Sequence, residues 1–136
     1  GEEPDPPECR AVQLVGLLRH GSRNPGKSDS KHFNKLSDKL SVVPTESFAE
    51  EFRWLSGWKN PYKHLKQHGL VDQGIMEHYG IAKRTKDRYP HLFEPYTPSH
   101  HHIRSSHLER ASRSAAAFAY GLWEGTGPKG AGGYNP

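Results

Sequence analysis

Val12-Gln13-Leu14-Val15-Gly16-Leu17-Leu18 is a short, nearly continuous apolar run, the pattern of a strand buried on both faces in a parallel sheet. It stops at Arg19-His20-Gly21. From Ser22 to about Thr45 the chain mixes Gly, Pro, Ser, Asn and Lys with few apolar residues, which predicts a loop with one short helix. Ser47 and Glu50 have the spacing of a capping box, and Phe48, Phe52 and Leu55 then fall on one helical face before Gly57, predicting a second short helix. Trp54, Trp58, Pro61 and Tyr62 form an aromatic patch, read as core packing ahead of ligand stacking. Ile75, Tyr79, Ala82 and Tyr89 keep helical spacing between Val71 and Tyr89, with Asp72 as a cap and Pro90 as a stop. Gly74 and Gly80 inside that helix either weaken it or mark close packing. His101-His102-Ile103-Arg104-Ser105 is a second candidate strand, and Glu109 to Trp123, with Ala115, Phe118, Ala119 and Leu122 on one face, is a final helix. Residues 1–9 read as an extended lead and 125–136 as a flexible glycine-rich tail.

Strand, loop, helix, strand, helix is the order of a βαβ arrangement. It predicts an α/β fold with a parallel sheet flanked by helices and binding residues at the carboxyl ends of the strands. Two strands make too small a sheet to stand alone, so the sheet is expected to be incomplete in this chain and finished by another chain or by the rest of a longer polypeptide.

Composition points the same way. The length of 136 residues, 32% of them hydrophobic, leaves no room for a second full domain and little for a core. The formal charge of +4 is too small for a disordered chain, and its charges are interspersed with no polybasic run, so nucleic acid is not the expected partner. Ten histidines are many for this length, and protonating them would strengthen any attraction to anions in acid. No apolar stretch is long enough to span a membrane. The lead has neither a basic flank nor an apolar core, so a secretory signal is expected to have been removed or never to have existed. Cys9 is the only cysteine. In a secreted protein it points to a partner cysteine outside the chain, and in the cytosol it is simply a thiol.

The candidate chemistry lies at the two strand ends. Arg19, His20 and Arg23 follow the first strand, where guanidiniums can grip phosphate oxygens bidentately while an imidazole nitrogen attacks phosphorus. Arginine suits the charge that spreads over the equatorial oxygens in such a transition state. Read blandly, the same residues are a basic turn. Arg104, His107, Arg110 and Arg113 follow the second strand, and one or two of these are expected to converge on the same anion site, the rest being surface groups. A different reading gives His100, His101, His102 and His107, or the pair His64 and His68, a surface transition-metal site. Consecutive strand residues point to opposite faces, however, so three histidines in a row do not readily ligate one ion.

The run from Val12 to Pro25 contains Arg19-His20-Gly21-Ser22-Arg23-Asn24-Pro25, which resembles the Arg-His-Gly-x-Arg-x-Pro signature of the histidine acid phosphatases, the branch that includes phytases. Leu70 to Phe93 resembles the long helix of that family, and Ile103 to Arg110 followed by Ser114-Ala115-Ala116-Ala117-Phe118 and Gly121-Leu122-Trp123 resembles its second conserved block. The similarity is greatest to the members that act on inositol polyphosphates. It implies that the chain is the amino-terminal part of a single α/β domain, with His20 as nucleophile and Arg19, Arg23 and Arg110 as phosphate clamp. Ser22 and Lys27 are then further substrate-binding candidates, and no cofactor or metal is called for. Ser22 stands where threonine is common, and Asn24 where an aromatic often stands. The family's late His-Asp or His-Ala-Glu motif, which protonates the leaving alkoxide, does not occur in this chain. The resemblance therefore implies an enzyme that needs a carboxy-terminal portion or second chain, with Cys9 as the candidate disulfide to it, in a secreted or endoplasmic-reticulum-lumen setting. The alternative is a catalytically inactive secreted protein on the same fold that binds anions or metal.

Overall fold

The structure is a computed structural model that describes residue 6, residues 8–94 and residues 96–125. The chain divides into two compact units, Gly1–Ser22 with Leu70–Pro136, and Arg23–Gly69. No helix among the described residues is long and apolar enough to cross a membrane. The tail from 126 onward and most of the lead lie outside the described residues.

In the second unit, helix α1 (Lys27–Ser41) is followed by 3₁₀ helices Thr45–Ser47 and Glu50–Gly57. α1 is longer than the loop-rich composition of this stretch predicts. Its Asp29 carboxylate accepts the Gly26 N–H at 3.2 Å, closing the first turn, and Lys39 sits in the last turn, where a cation suits the carbonyl end. It has no fully buried residue. Asn60, itself buried, donates to Asn34 Oδ1 at 2.8 Å and accepts the Tyr62 N–H at 2.9 Å, which fastens the Asn60–Tyr62 corner to α1. Tyr62 then lies against Phe33 with ring centroids 5.7 Å apart. The aromatic patch is thus only partly core, for Trp54 is 65% exposed. The helix expected from Ser47 is 3₁₀ in form and begins at Glu50 with Ala49 as its cap, so Ser47 does not serve as one.

In the first unit, α2 (Asp72–Arg88) and α3 (Glu109–Trp123) pack against each other, with the 3₁₀ helix Pro90–Leu92 between them in sequence. α2 is capped by Val71, with Asp72 as its first helical residue, and ends before Pro90, whose ring cannot continue a helix. The helices meet closely at Gly121, where a Cβ would come 2.7 Å from both Ala82 Cβ and the Tyr79 carbonyl oxygen. Leu70, Ile75 and Ala117 form one small cluster and Ala82, Phe93 and Leu122 another. Burying a side chain such as Leu122 contributes roughly 1.5–3 kcal/mol, so these two clusters are what holds the pair together. Trp123 donates its indole N–H to the Phe93 carbonyl at 3.0 Å. His101 packs against Tyr96 and Trp123, with centroids 5.6 and 5.2 Å away, and its Nε2–H donates to the Leu92 carbonyl at 2.8 Å.

The parallel sheet predicted from the apolar runs is not formed among the described residues. Val12 is 88% and Leu17 100% exposed, and residues 101–106 carry no strand. A strand exists only through hydrogen bonds to a neighbour and burial of its faces. The described residues offer the Val12–Leu18 run and the 101–105 segment, and no third element lies between or beside them. His101 is accordingly a packed histidine of the aromatic cluster, while His100 and His102 are exposed, so the three do not converge on an ion. No group of three or more His, Cys, Asp or Glu among the described residues could hold a metal ion.

Candidate active site

The segment Arg19–Ser22 is laid over the start of α2 and tied down by side chains from both helices. His78, 4% exposed on α2, donates Nε2–H to the Arg19 carbonyl at 2.9 Å. Glu77 accepts twice from Ser22, from its N–H at 2.8 Å and from its hydroxyl at 2.7 Å. The Ser22 carbonyl in turn accepts the Val71 N–H at 3.1 Å. Ser114 of α3, 2% exposed, accepts the Gly21 N–H at 3.1 Å and donates its own hydroxyl proton to the Arg110 carbonyl at 2.8 Å. One hydroxyl therefore joins the His20-Gly21 peptide to the turn that carries Arg110. The approach requires two glycines face to face: a Cβ on Gly21 would run into the Gly74 backbone, and one on Gly74 would lie 2.6 Å from the Ser22 nitrogen.

His20, half-buried, places Nδ1 2.8 Å from the Gly21 carbonyl oxygen. A carbonyl can only accept, so Nδ1 carries a proton, and Nε2 is the ring nitrogen that bears the lone pair in the neutral imidazole. Arg19 is exposed. Arg110, the second residue of α3, has a buried Nε with no hydrogen-bond partner among the described residues. A buried donor without an acceptor is costly, and it stands at a helix N-terminus, whose free N–H groups and dipole favour an anion.

The remaining candidates are placed as follows. In the second unit, Arg23 donates from Nη1 to the Asn24 carbonyl at 2.9 Å and to His68 Nδ1 at 3.0 Å, while Lys27 is exposed at the start of α1. In the first unit the Ser22 hydroxyl proton is already given to Glu77, so while that bond lasts Ser22 anchors the loop and has no proton to offer a phosphate. Arg113 pairs with Glu109 at 3.8 Å, and Arg104 and His107 are exposed. Cys9 is exposed and free. The two Ser22 hydrogen bonds, the hydroxyl's first, hold the Glu77 carboxyl below the ordinary carboxylate value.

Glu77, His78 and Ser114 escape a motif search. Two of them nevertheless carry a signal in the sequence. His78 lies between Ile75 and Ala82 on the buried stripe of α2, and Ser114 one turn before Ala117 on that of α3. A polar residue on an apolar stripe has to find a partner.

Residues 11–136 match the model of the histidine phosphatase superfamily (branch 2), and the chain belongs to that family. It is 35% identical over 135 residues to multiple inositol polyphosphate phosphatase 1 of Dictyostelium discoideum, an alignment that takes in 97% of this chain and 21% of that protein. The human protein of the same name is 27% identical over 85% of the chain and 25% of its own length. A thiamine-repressible acid phosphatase of Schizosaccharomyces pombe is 30% identical over 86% of the chain and 27% of its own length. The chain thus spans about a fifth to a quarter of these relatives. No solved structure matches it.

Proposed function

We propose that the protein to which this chain belongs hydrolyses phosphomonoesters through a phosphohistidine on His20, with inositol polyphosphates as its substrates. His20 Nε2 attacks phosphorus, a P–N bond forms, and the P–O bond to the leaving alcohol breaks. The alkoxide takes a proton from an acid supplied outside this chain. Water then attacks the phosphohistidine, releasing inorganic phosphate and restoring the imidazole. Arg19 and Arg110 hold the phosphoryl oxygens as charge builds on them, and Arg23, three residues along the same signature from His20, is a further phosphate ligand.

The observation that carries this reading is the Nδ1–H bond of His20 to the Gly21 carbonyl, which leaves the other ring nitrogen nucleophilic. The buried, unpartnered Arg110 Nε, joined to the same loop through Ser114, supports it. The names of the Dictyostelium and human relatives support the substrate class. The reading extends to a secreted or lumenal compartment, where exposed Cys9 can pair with a cysteine beyond this chain; intact mass with and without reductant tests that pairing.

The test of the chemistry is hydrolysis at acid pH by the full-length protein, using inositol hexakisphosphate and an aryl phosphate. His20→Ala is expected to abolish turnover and the acid-labile phosphoenzyme trapped by rapid quench. Equal rates for wild type and His20→Ala would remove His20 from the mechanism, and a preference for the aryl ester would remove the substrate class alone.

A further inference from the structure

We infer that His68 is a positioning residue for Arg23, an inference that rests on the phosphate-binding role proposed for that arginine. His68 is the one non-glycine residue with positive φ among the described residues, at 58°. That left-handed conformation disfavours any residue with a Cβ, histidine less than most, and surroundings that enforce it are often functional. Here the unusual backbone turns the imidazole toward Arg23, with Nδ1 3.0 Å from the guanidinium Nη1. Arginine is always charged and can only donate. In this contact Nδ1 is therefore the accepting nitrogen, and the ring proton sits on Nε2.

The neighbouring chain is arranged to keep the ring there. It lies over Gly26, where a Cβ would come within 2.5 Å of the ring Cε1 and 3.0 Å of Nε2. Asn24 N–H donates to the Gly69 carbonyl at 2.8 Å, Asn24 Nδ2 to the Lys66 carbonyl at 3.1 Å, and His68 N–H to the Pro25 carbonyl at 3.4 Å. Residues 66–69 are thereby laced to 24–25 on both sides of the contact. With the Asn24 carbonyl as its second acceptor at 2.9 Å, Nη1 of Arg23 is held from two directions. Its other guanidinium hydrogens make no hydrogen bond among the described residues and are the ones the proposal gives to phosphate oxygens.

Two substitutions separate the ring from the backbone. His68→Gly removes the acceptor and relieves the left-handed strain, whereas His68→Asn tolerates that conformation and puts Oδ1 close to the place of Nδ1. In the full-length enzyme, His68→Gly is expected to raise KM for the phosphomonoester and Ki for inorganic phosphate about tenfold, with kcat little changed, since ground state and transition state lose the same contact. His68→Asn should return both to within about twofold of wild type, and His68→Gly made in an Arg23→Ala background should add nothing. Urea unfolding should find the His68→Gly protein at least as stable as wild type. A His68→Gly enzyme with wild-type KM and Ki overturns the inference, as do an Asn variant no better than Gly and additive effects in the double mutant. Turnover that survives His20→Ala would instead overturn the proposed function, and the inference with it.

Discussion

Gly74 and Gly80 stand six residues apart in α2, and replacing each by alanine should give opposite results. In an unobstructed helix alanine is more favourable than glycine by about 0.8–1 kcal/mol. At Gly80 the new Cβ meets only Arg84 Nη1 at 3.3 Å, the end of a flexible side chain that can move aside, so Gly80→Ala is expected to stabilise by roughly 0.5–1 kcal/mol. At Gly74 the same atom meets backbone: the Ser22 nitrogen at 2.6 Å, the Gly21 carbonyl carbon at 2.9 Å and the Ser22 carbonyl oxygen. Those atoms are fixed by the bonds of Ser22 to Glu77 and Val71. Overpacking of this kind costs about 1–3 kcal/mol, and each hydrogen bond stretched by the displaced loop takes away about 1 kcal/mol more. Set against the helix gain, Gly74→Ala should destabilise by roughly 1–3 kcal/mol. Urea midpoints of the two variants in the full-length protein measure the difference, and hydrolysis rates report whether the loop carrying His20 has shifted. A Gly74→Ala protein as stable and as active as Gly80→Ala would refute the claim that close backbone contact seats this loop.

Ser114→Ala leaves the buried Gly21 N–H without an acceptor, a loss of about 1–3 kcal/mol partly offset by alanine's better helix propensity; an unchanged urea midpoint and rate would count against Ser114 as the link between loop and α3. Glu77 has a lowered folded pKa, so its contribution to stability is present above the ordinary carboxylate value and is lost as pH falls through the lowered one. Glu77→Gln should flatten the acid side of the unfolding profile, and matching acid limbs would be the contrary result. Tyr79, 2.5 Å from Glu124, and Tyr120, 3.2 Å from it, are both raised above 10.0, chiefly because each hydrogen-bonds that carboxylate. A raised acid of this kind gives stability that is present below the ordinary tyrosine value and lost as pH rises through the folded one. Glu124→Ala should therefore bring the alkaline phenolate absorbance transition to lower pH, and no movement would dissociate the tyrosines from Glu124.

Helical spacing, with Asp72 and Pro90 as bounds for the first, located α2 and α3 because a helix bonds to itself, but of the face read on α3 only Leu122 is buried, beside Ser114, Ala117 and Gly121. The same local logic marked His20 and the arginines, whose chemistry depends on residue type and near neighbours. α1 was obscured because the Gly, Pro, Ser, Asn and Lys content of Ser22–Thr45 is that of a loop, although Phe33, Leu36 and Leu40 keep helical spacing within it. Whether Val12–Leu18 becomes a strand is not a property of those residues, since a strand takes its hydrogen bonds from a neighbour and the described residues bring none to it. The loop's anchors were decided by the fold for a related reason. Glu77 lies 55 residues from Ser22, His78 59 from Arg19 and Ser114 93 from Gly21, and a hydrogen bond across such separations exists only after α2 and α3 have packed and two glycines have let the backbone come close.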